Sequence, residues 1–289
     1  MKLTKLLLSA TCLVLLSVPA LAEEGSATAP QLTANLRRLG FEYSTTDVSH
    51  AKEYENSPVS QFNADSQSLI KGVFDFALEY NRDNMRWNNG LFMEYGKTKL
   101  EPEDEPTEST ENSDKILLSS IYSHKLWKYD TYNIGPTATI EYQTEFTENN
   151  DAPRTKVLRG KAGLALFEGN IIKDLYIVGV SEYDMTYSSE KVTKTAGEIG
   201  WRIQYDLRDG VQLSTDGYYR DYFSYSKYVG TDLEYDFNAN ARMDVTLIDN
   251  LAFGPYISYR TGKARETSVR GSNLQVGVAL TYKNMYKIK

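Results

Sequence analysis

The sequence predicts an all-β fold: a transmembrane antiparallel up-and-down β-barrel, most simply of twelve strands. Three observations carry this expectation, namely long stretches of strict apolar and polar alternation, a secretory leader, and connections of two unequal kinds. The clearest stretch is 232–247, DLEYDFNANARMDVTL, where Leu233, Tyr235, Phe237, Ala239, Ala241, Met243, Val245 and Leu247 alternate with polar residues. A helix would scatter these side chains round its axis, whereas a strand sends successive ones to opposite faces. At about 3.4 Å per residue the stretch runs far longer than an ordinary strand of five or six residues, which suits a membrane.

The chain opens with Lys2 and Lys5, an apolar run from Leu6 to Val18 and the small-residue site Ala20-Leu21-Ala22. That order is a signal peptide over 1–22. The one cysteine, Cys12, falls inside it. The mature part therefore carries no thiol nucleophile, disulfide or cysteine metal site. Losing Lys2 and Lys5 takes the formal charge from −7 to −9, so nucleic acid is not an expected partner. No apolar window long enough for a spanning helix follows the leader, but a membrane barrel needs none, because only alternate residues of each strand meet lipid. The 22 tyrosines, against 10 phenylalanines and 3 tryptophans, suit the two membrane interfaces.

Residues 23–33 read as a flexible lead, 34–283 as the barrel and 284–289 as a tail. The expected strands are 34–45, 69–80, 85–99, 115–127, 132–146, 155–168, 174–188, 193–207, 210–225, 228–247, 251–262 and 272–283. Alternate connections are short: NRDN at 81–84, KYDT at 128–131, EGNII with Lys173, Arg208-Asp209, and IDN at 248–250. The others are mostly longer, including 46–68 and the acidic EPEDEPTESTENSD at 101–114. Tight turns on one side and long loops on the other is the asymmetry of bacterial outer-membrane barrels, with the termini and turns periplasmic and the long loops extracellular.

Lipid satisfies no open sheet edge, so the sheet must close. The apolar set then faces outward: Ile199, Trp201, Ile203, Tyr205 and Leu207 in 193–207, for example, and Leu274, Val276, Val278, Leu280 and Tyr282 in 272–283. The polar set faces a lumen that is wet or densely ion-paired, since isolated charges in a dry cavity are prohibitive. Its candidate pore-lining residues are Glu198, Arg202, Asp206, Asp216, Arg220, Asp232, Glu234, Asp236, Arg242, Asp244 and Arg260. Unpaired, the acids would favour cations. Paired with the arginines across strands, they would stabilise the sheet and close the lumen.

At the carboxyl end SNLQVGVALTY resembles the final strand of outer-membrane barrels, which implies recognition by the barrel assembly machinery. The run MRWNNGLFMEYGKTK, with SDKILLSSIYSHKLWKY and EYQTEF, is similar to a family of uncharacterised bacterial barrel domains with W-x-N-x-L, Y-G, D-K, Y-x-x-K and T-x-F motifs. The matching positions are Trp87, Asn89, Leu91, Tyr95, Gly96, Asp114, Lys115, Tyr122, Lys125, Thr144 and Phe146. In topology alone the chain also resembles narrow twelve-stranded oligosaccharide porins; their basic tracks are absent here, so that substrate is not implied.

The expected function is a narrow, porin-like outer-membrane channel for small polar or cationic solutes. The alternatives are a closed structural or partner-binding barrel, plugged by ion pairs or by the first loop, and an outer-leaflet hydrolase. For the last, the mature chain has only His50, in a long polar loop near Asp47 and Glu53, and His124, near the turn side and away from the outer leaflet; a lipase or protease needs a histidine set to activate a hydroxyl or a water. Neither catalytic residues nor metal or cofactor sites are expected. Partners would be outer-membrane lipids and lipopolysaccharide, the assembly machinery and the solute.

Overall fold

The structure, a computed structural model, describes residues 30–54, 57, 59–62, 68–100, 108–148 and 153–288. The expected leader, most of the lead and 101–107 of the acidic loop lie outside the described residues. The strands are β1 (Gln31–Ser49), β2 (Ser68–Arg82), β3 (Met85–Leu100), β4 (Glu108–His124), β5 (Trp127–Tyr129), β6 (Tyr132–Thr144), β7 (Val157–Phe167), β8 (Ile172–Asp184), β9 (Val192–Arg208), β10 (Val211–Tyr225), β11 (Leu233–Ile248), β12 (Leu251–Ala264) and β13 (Gly271–Lys287). Neighbours in sequence pair antiparallel, and β1 pairs with β13 from Thr33↔Lys287 to Ser49↔Ser272, which closes the sheet. β4 and β5 form one interrupted stave, both pairing with β6. The barrel therefore has twelve staves.

Alternation sets the faces. In β1, Leu39, Phe41 and Tyr43 are exposed while Gly40, Glu42 and Ser44 between them are buried. The same division holds in β13, where Val276, Val278 and Leu280 face out and Gln275, Ala279 and Thr281 face in. The outer wall is thus an apolar band. Trp87, Tyr122, Trp127, Tyr129 and Tyr205 are exposed at its turn end, and Tyr43, Tyr183 and Phe223 at its loop end. Rings at both rims of a closed apolar band, with charge inside, define a membrane-spanning barrel of the outer-membrane type.

The five expected tight turns are all present. Asp130, Glu168, Asp249 and Gly210 bring positive φ to four of them. Asp209-Gly210, with φ 73° at the glycine, is the sequence that such a two-residue hairpin selects.

The ends differ from expectation. β1 starts at Gln31 and β13 continues through Asn284, Met285, Tyr286 and Lys287, so most of the expected tail is strand. Closure is the reason: these residues pair with Leu36, Asn35, Ala34 and Thr33 of β1. Residues 228–232 form a loop rather than the start of a strand, pinned by Asp232 N–H to Val229 O at 2.9 Å.

Candidate functional site

The lumen is occupied at three levels. At the loop end, His50 (φ 62°) ends β1 and turns the chain inward, through helical turns at Ala51–Tyr54 and Ser60–Phe62. Tyr54 and Phe62 are buried against Leu233 and Ala264, with their rings edge-to-face at 5.5 Å. A Cβ on Gly271 would lie 3.1 Å from the Tyr54 ring, so glycine there makes room for the insert. The Tyr54 hydroxyl lies 2.9 Å from Val269 O and accepts the Ala264 N–H at 3.2 Å. Asn273 Nδ2 donates to Gln61 O at 2.7 Å, and Arg260 Nη1 to Gln61 Oε1 at 3.2 Å. The first loop is therefore stitched to β12 and β13 by backbone and side chain alike.

In the middle, ion pairs ladder round the wall. Glu198 receives Arg220 Nη2 at 2.5 Å, Lys161 at 2.9 Å and the Tyr176 hydroxyl at 2.9 Å. Glu182 receives Arg159 at 2.6 Å, Lys194 at 3.2 Å and Arg220 at 3.7 Å. Lys161 also reaches Glu141 at 2.9 Å. Asp236 is gripped by Arg260, with Nε at 3.0 Å and Nη2 at 2.9 Å, and accepts the Tyr218 hydroxyl at 2.7 Å. The bidentate fork is the strong form of this contact. On the opposite wall Glu42 pairs with Arg38 and Lys71, each at 3.0 Å, and Phe92 lies between the Arg38 and Lys115 cations.

At the turn end Asp174 of β8 is held by Arg86 of β3 at 2.6 Å and by Arg202 of β9. Three staves separate β3 from β8, so Arg86 reaches across a chord of the lumen, its guanidinium stacked 4.8 Å from the Phe167 ring centroid. At the same end, by the turns that follow β9 and β11, lies a basin of about 380 Å³ lined by Asp206, Gln212, Asp244 and Lys283 among others. Asp244 pairs there with Lys283 and with Arg242 Nε at 2.9 Å.

Of the residues expected to line the pore, Glu198, Arg220, Asp236, Arg242, Asp244 and Arg260 face inward and are joined to opposite charges. Arg202 faces inward and forms half of the cross-lumen bridge. Asp206 and Asp216 face inward, are exposed, and make no ion pair among the described residues; Gln212 Nε2 donates to Asp206 at 2.8 Å and Asn240 Nδ2 to Asp216 at 3.0 Å.

Asp232 and Glu234 depart from expectation. Asp232 sits in the β10–β11 loop, where its carboxylate accepts Val229 N–H at 2.9 Å and burial pushes its carboxyl above the usual range. Glu234 lies at a bulge between Leu233 and Tyr235 and pairs with Lys263, which is in register with Tyr235 on the outer side. The bulge adds a residue and reverses the phase, so Leu233 points inward onto Tyr54 and Phe62.

Sequence reasoning missed Tyr54, Gln61 and Phe62, and the anchors Glu42, Asp174, Lys194 and Lys283. Asp174 and Lys283 lie at strand ends, where alternation gives the weakest signal. Tyr54 and Phe62, two aromatic residues within a polar loop, are the signal that could have found the insert.

Among the described residues, no hydrogen bond joins either histidine to a carboxylate. The His124 ring lies 3.4 Å from the Tyr122 hydroxyl, and the His50 ring 3.1 Å from Arg270 O. Among the described residues no group of three or more His, Cys, Asp or Glu could hold a metal ion.

The fold and the charged lumen together define a closed twelve-stranded barrel of the bacterial outer-membrane type. Residues 61–150 match the family described as a protein of unknown function (DUF3078), and the motif positions Trp87 to Phe146 fall within that span. Among solved structures the chain is similar to the COG4313 outer membrane channel from Pseudomonas putida F1, at 12% identity over 93% of this chain and 100% of that one, with a TM-score of 0.49. It is also similar to the NanC porin (10% identity, 82% of this chain and 98% of that one, TM-score 0.41) and to outer membrane phospholipase A from Escherichia coli (11%, 84% and 92%, 0.41). No curated protein matches the sequence.

Proposed function

We propose that this barrel is a narrow outer-membrane channel for small polar or cationic solutes, with the turns and termini on the periplasmic side and the long loops outside. The observation that carries this reading is the polar inner face. From Asp206 at the turn mouth, past Asp216, to Asp236 beneath the first loop, the wall presents charge, and Asp206 and Asp216 stand exposed within it. Asp206 and Asp216 offer exposed carboxylates that make no ion pair among the described residues, which biases passage toward cations. Passage needs no cofactor and no covalent step. The first loop and the Arg86–Asp174–Arg202 bridge are the constrictions, so the pore conducts weakly until one of them yields.

A second reading, a closed barrel serving structure or partner binding, is favoured by the same bridge and by the burial of Tyr54 and Phe62. Planar-bilayer recording separates the two. The expected result is small cation-selective steps from the wild type. In a Gln61→Cys, Asn273→Cys pair, a short bis-methanethiosulfonate, which loses a sulfinate as each cysteine forms a disulfide with it, should fasten the first loop to β13 and suppress them, and reduction should restore them. Silence of the wild type across many verified insertions would overturn the channel and leave the closed barrel.

A further inference from the structure

The outer wall carries a feature that a channel does not use. A groove of about 500 Å³ runs along β3 and β4 on the bilayer-facing side. Its walls are Phe76, Leu78, Leu91, Leu118, Ile140 and Tyr142. Across the four staves the side chains form rows in register. Phe76–Leu91–Leu118–Tyr142 lies nearer the loops, Leu78–Asn89–Ser120–Ile140 comes next, and Tyr80–Trp87–Tyr122 lies nearest the turns. The middle row is anomalous, because two polar side chains face the lipid between leucine and isoleucine.

Ser120 is partly accounted for, since its Oγ accepts the Trp87 indole N–H at 2.9 Å. The Asn89 carboxamide has no hydrogen-bond partner among the described residues. A polar group in hydrocarbon without a partner is strongly unfavourable. Asn89 therefore calls for an acceptor supplied from the membrane itself. Its depth says which. Four residues above Met85 at the turn end, on a strand tilted by some 40°, it stands about 10 Å up and one row above the aromatic girdle. That is the level of the glycerol esters of the turn-side leaflet.

We propose that this groove holds one phospholipid of that leaflet. An acyl chain lies along the apolar floor toward Leu91 and Leu118, and an ester carbonyl accepts from Asn89 Nδ2. The headgroup sits among Trp87, Tyr122 and His124 at the rim. A second copy of the chain fits less well, because two concave surfaces leave the space between them unfilled. The asparagine and leucine of the W-x-N-x-L motif, unused by the lumen, line this groove, and its tryptophan donates to Ser120 on the groove wall.

The test is native mass spectrometry of the full chain in mild detergent, titrated with dioleoyl phosphatidylethanolamine and dioleoyl phosphatidylglycerol, with heat-modifiable gel mobility to verify folding. The expected result is one phospholipid retained per monomer, reduced at least tenfold by Asn89→Leu, partly restored by Asn89→Gln, and unchanged by Leu213→Ala on the far wall. A second measurement keeps only Trp87, through Trp127→Phe and Trp201→Phe; acyl-brominated phospholipid should quench it at mole fractions well below those that quench an exposed interfacial indole. Retention that Asn89→Leu does not alter, no retention by the wild type, retention of oleic acid alone, or a dimer formed through this face would each overturn the proposal.

Discussion

Replacing Glu198 by glutamine tests whether the lumen charges hold the barrel together. Glu198 is 2% exposed, and its carboxylate receives two cations and a hydroxyl, with Arg220 Nη2 at 2.5 Å, Lys161 at 2.9 Å and Tyr176 at 2.9 Å. Breaking a buried pair by removing one partner costs about 3–5 kcal/mol, because a charge is left uncompensated. Here each cation keeps one anion, since Lys161 still meets Glu141 at 2.9 Å and Arg220 still faces Glu182 at 3.7 Å. The loss should therefore fall at the lower end, about 3 kcal/mol, or roughly a hundredfold in the folding equilibrium at 1.4 kcal/mol per decade. Adding Glu182→Gln removes the second anion from Arg220, so the double variant should lose more than the sum of the two single losses, by about 1 kcal/mol or more. Guanidinium unfolding in lipid vesicles, followed by tryptophan fluorescence, reads both quantities. A loss below about 1 kcal/mol in the single variant would show that water, rather than Glu198, neutralises these cations in the folded barrel, and the ion-paired lumen would have to be abandoned.

Two further outcomes concern permeation. Arg86→Ala removes the side chain that spans from β3 to β8, so single-channel conductance should rise about twofold or more; an unchanged step size would place the limiting constriction at the first loop. Asp216→Asn removes an exposed, unpaired carboxylate, so the reversal potential under a salt gradient should move toward zero. An unmoved potential would exclude Asp216 from the ion path.

Much of the fold is legible in the chain because a period of two needs no knowledge of distant partners. The staves, the five tight turns and the inward placement of residues such as Glu198 and Asp236 follow from alternation. What fails is phase and distance. One bulge between Leu233 and Tyr235 turns Leu233 inward and puts Glu234 beside Lys263, and nothing local marks the extra residue. Asp174 meets Arg86 only because the sheet curls, so their separation of 88 residues along the chain hides the bridge. The inward course of the first loop is equally non-local, since the partners of Gln61 lie on β12 and β13.

The middle ladder also bears on how such a barrel is built. Glu198 on β9 is neutralised from β7 and β10, while Glu182 on β8 draws on β7, β9 and β10. No single hairpin drawn from β7 to β10 is electrically complete, and an isolated pair of these staves entering a bilayer would carry orphan charge into hydrocarbon. Assembly must keep that inner surface wetted until four consecutive staves lie side by side. Charge neutrality thus becomes a checkpoint that the growing sheet passes only as a block.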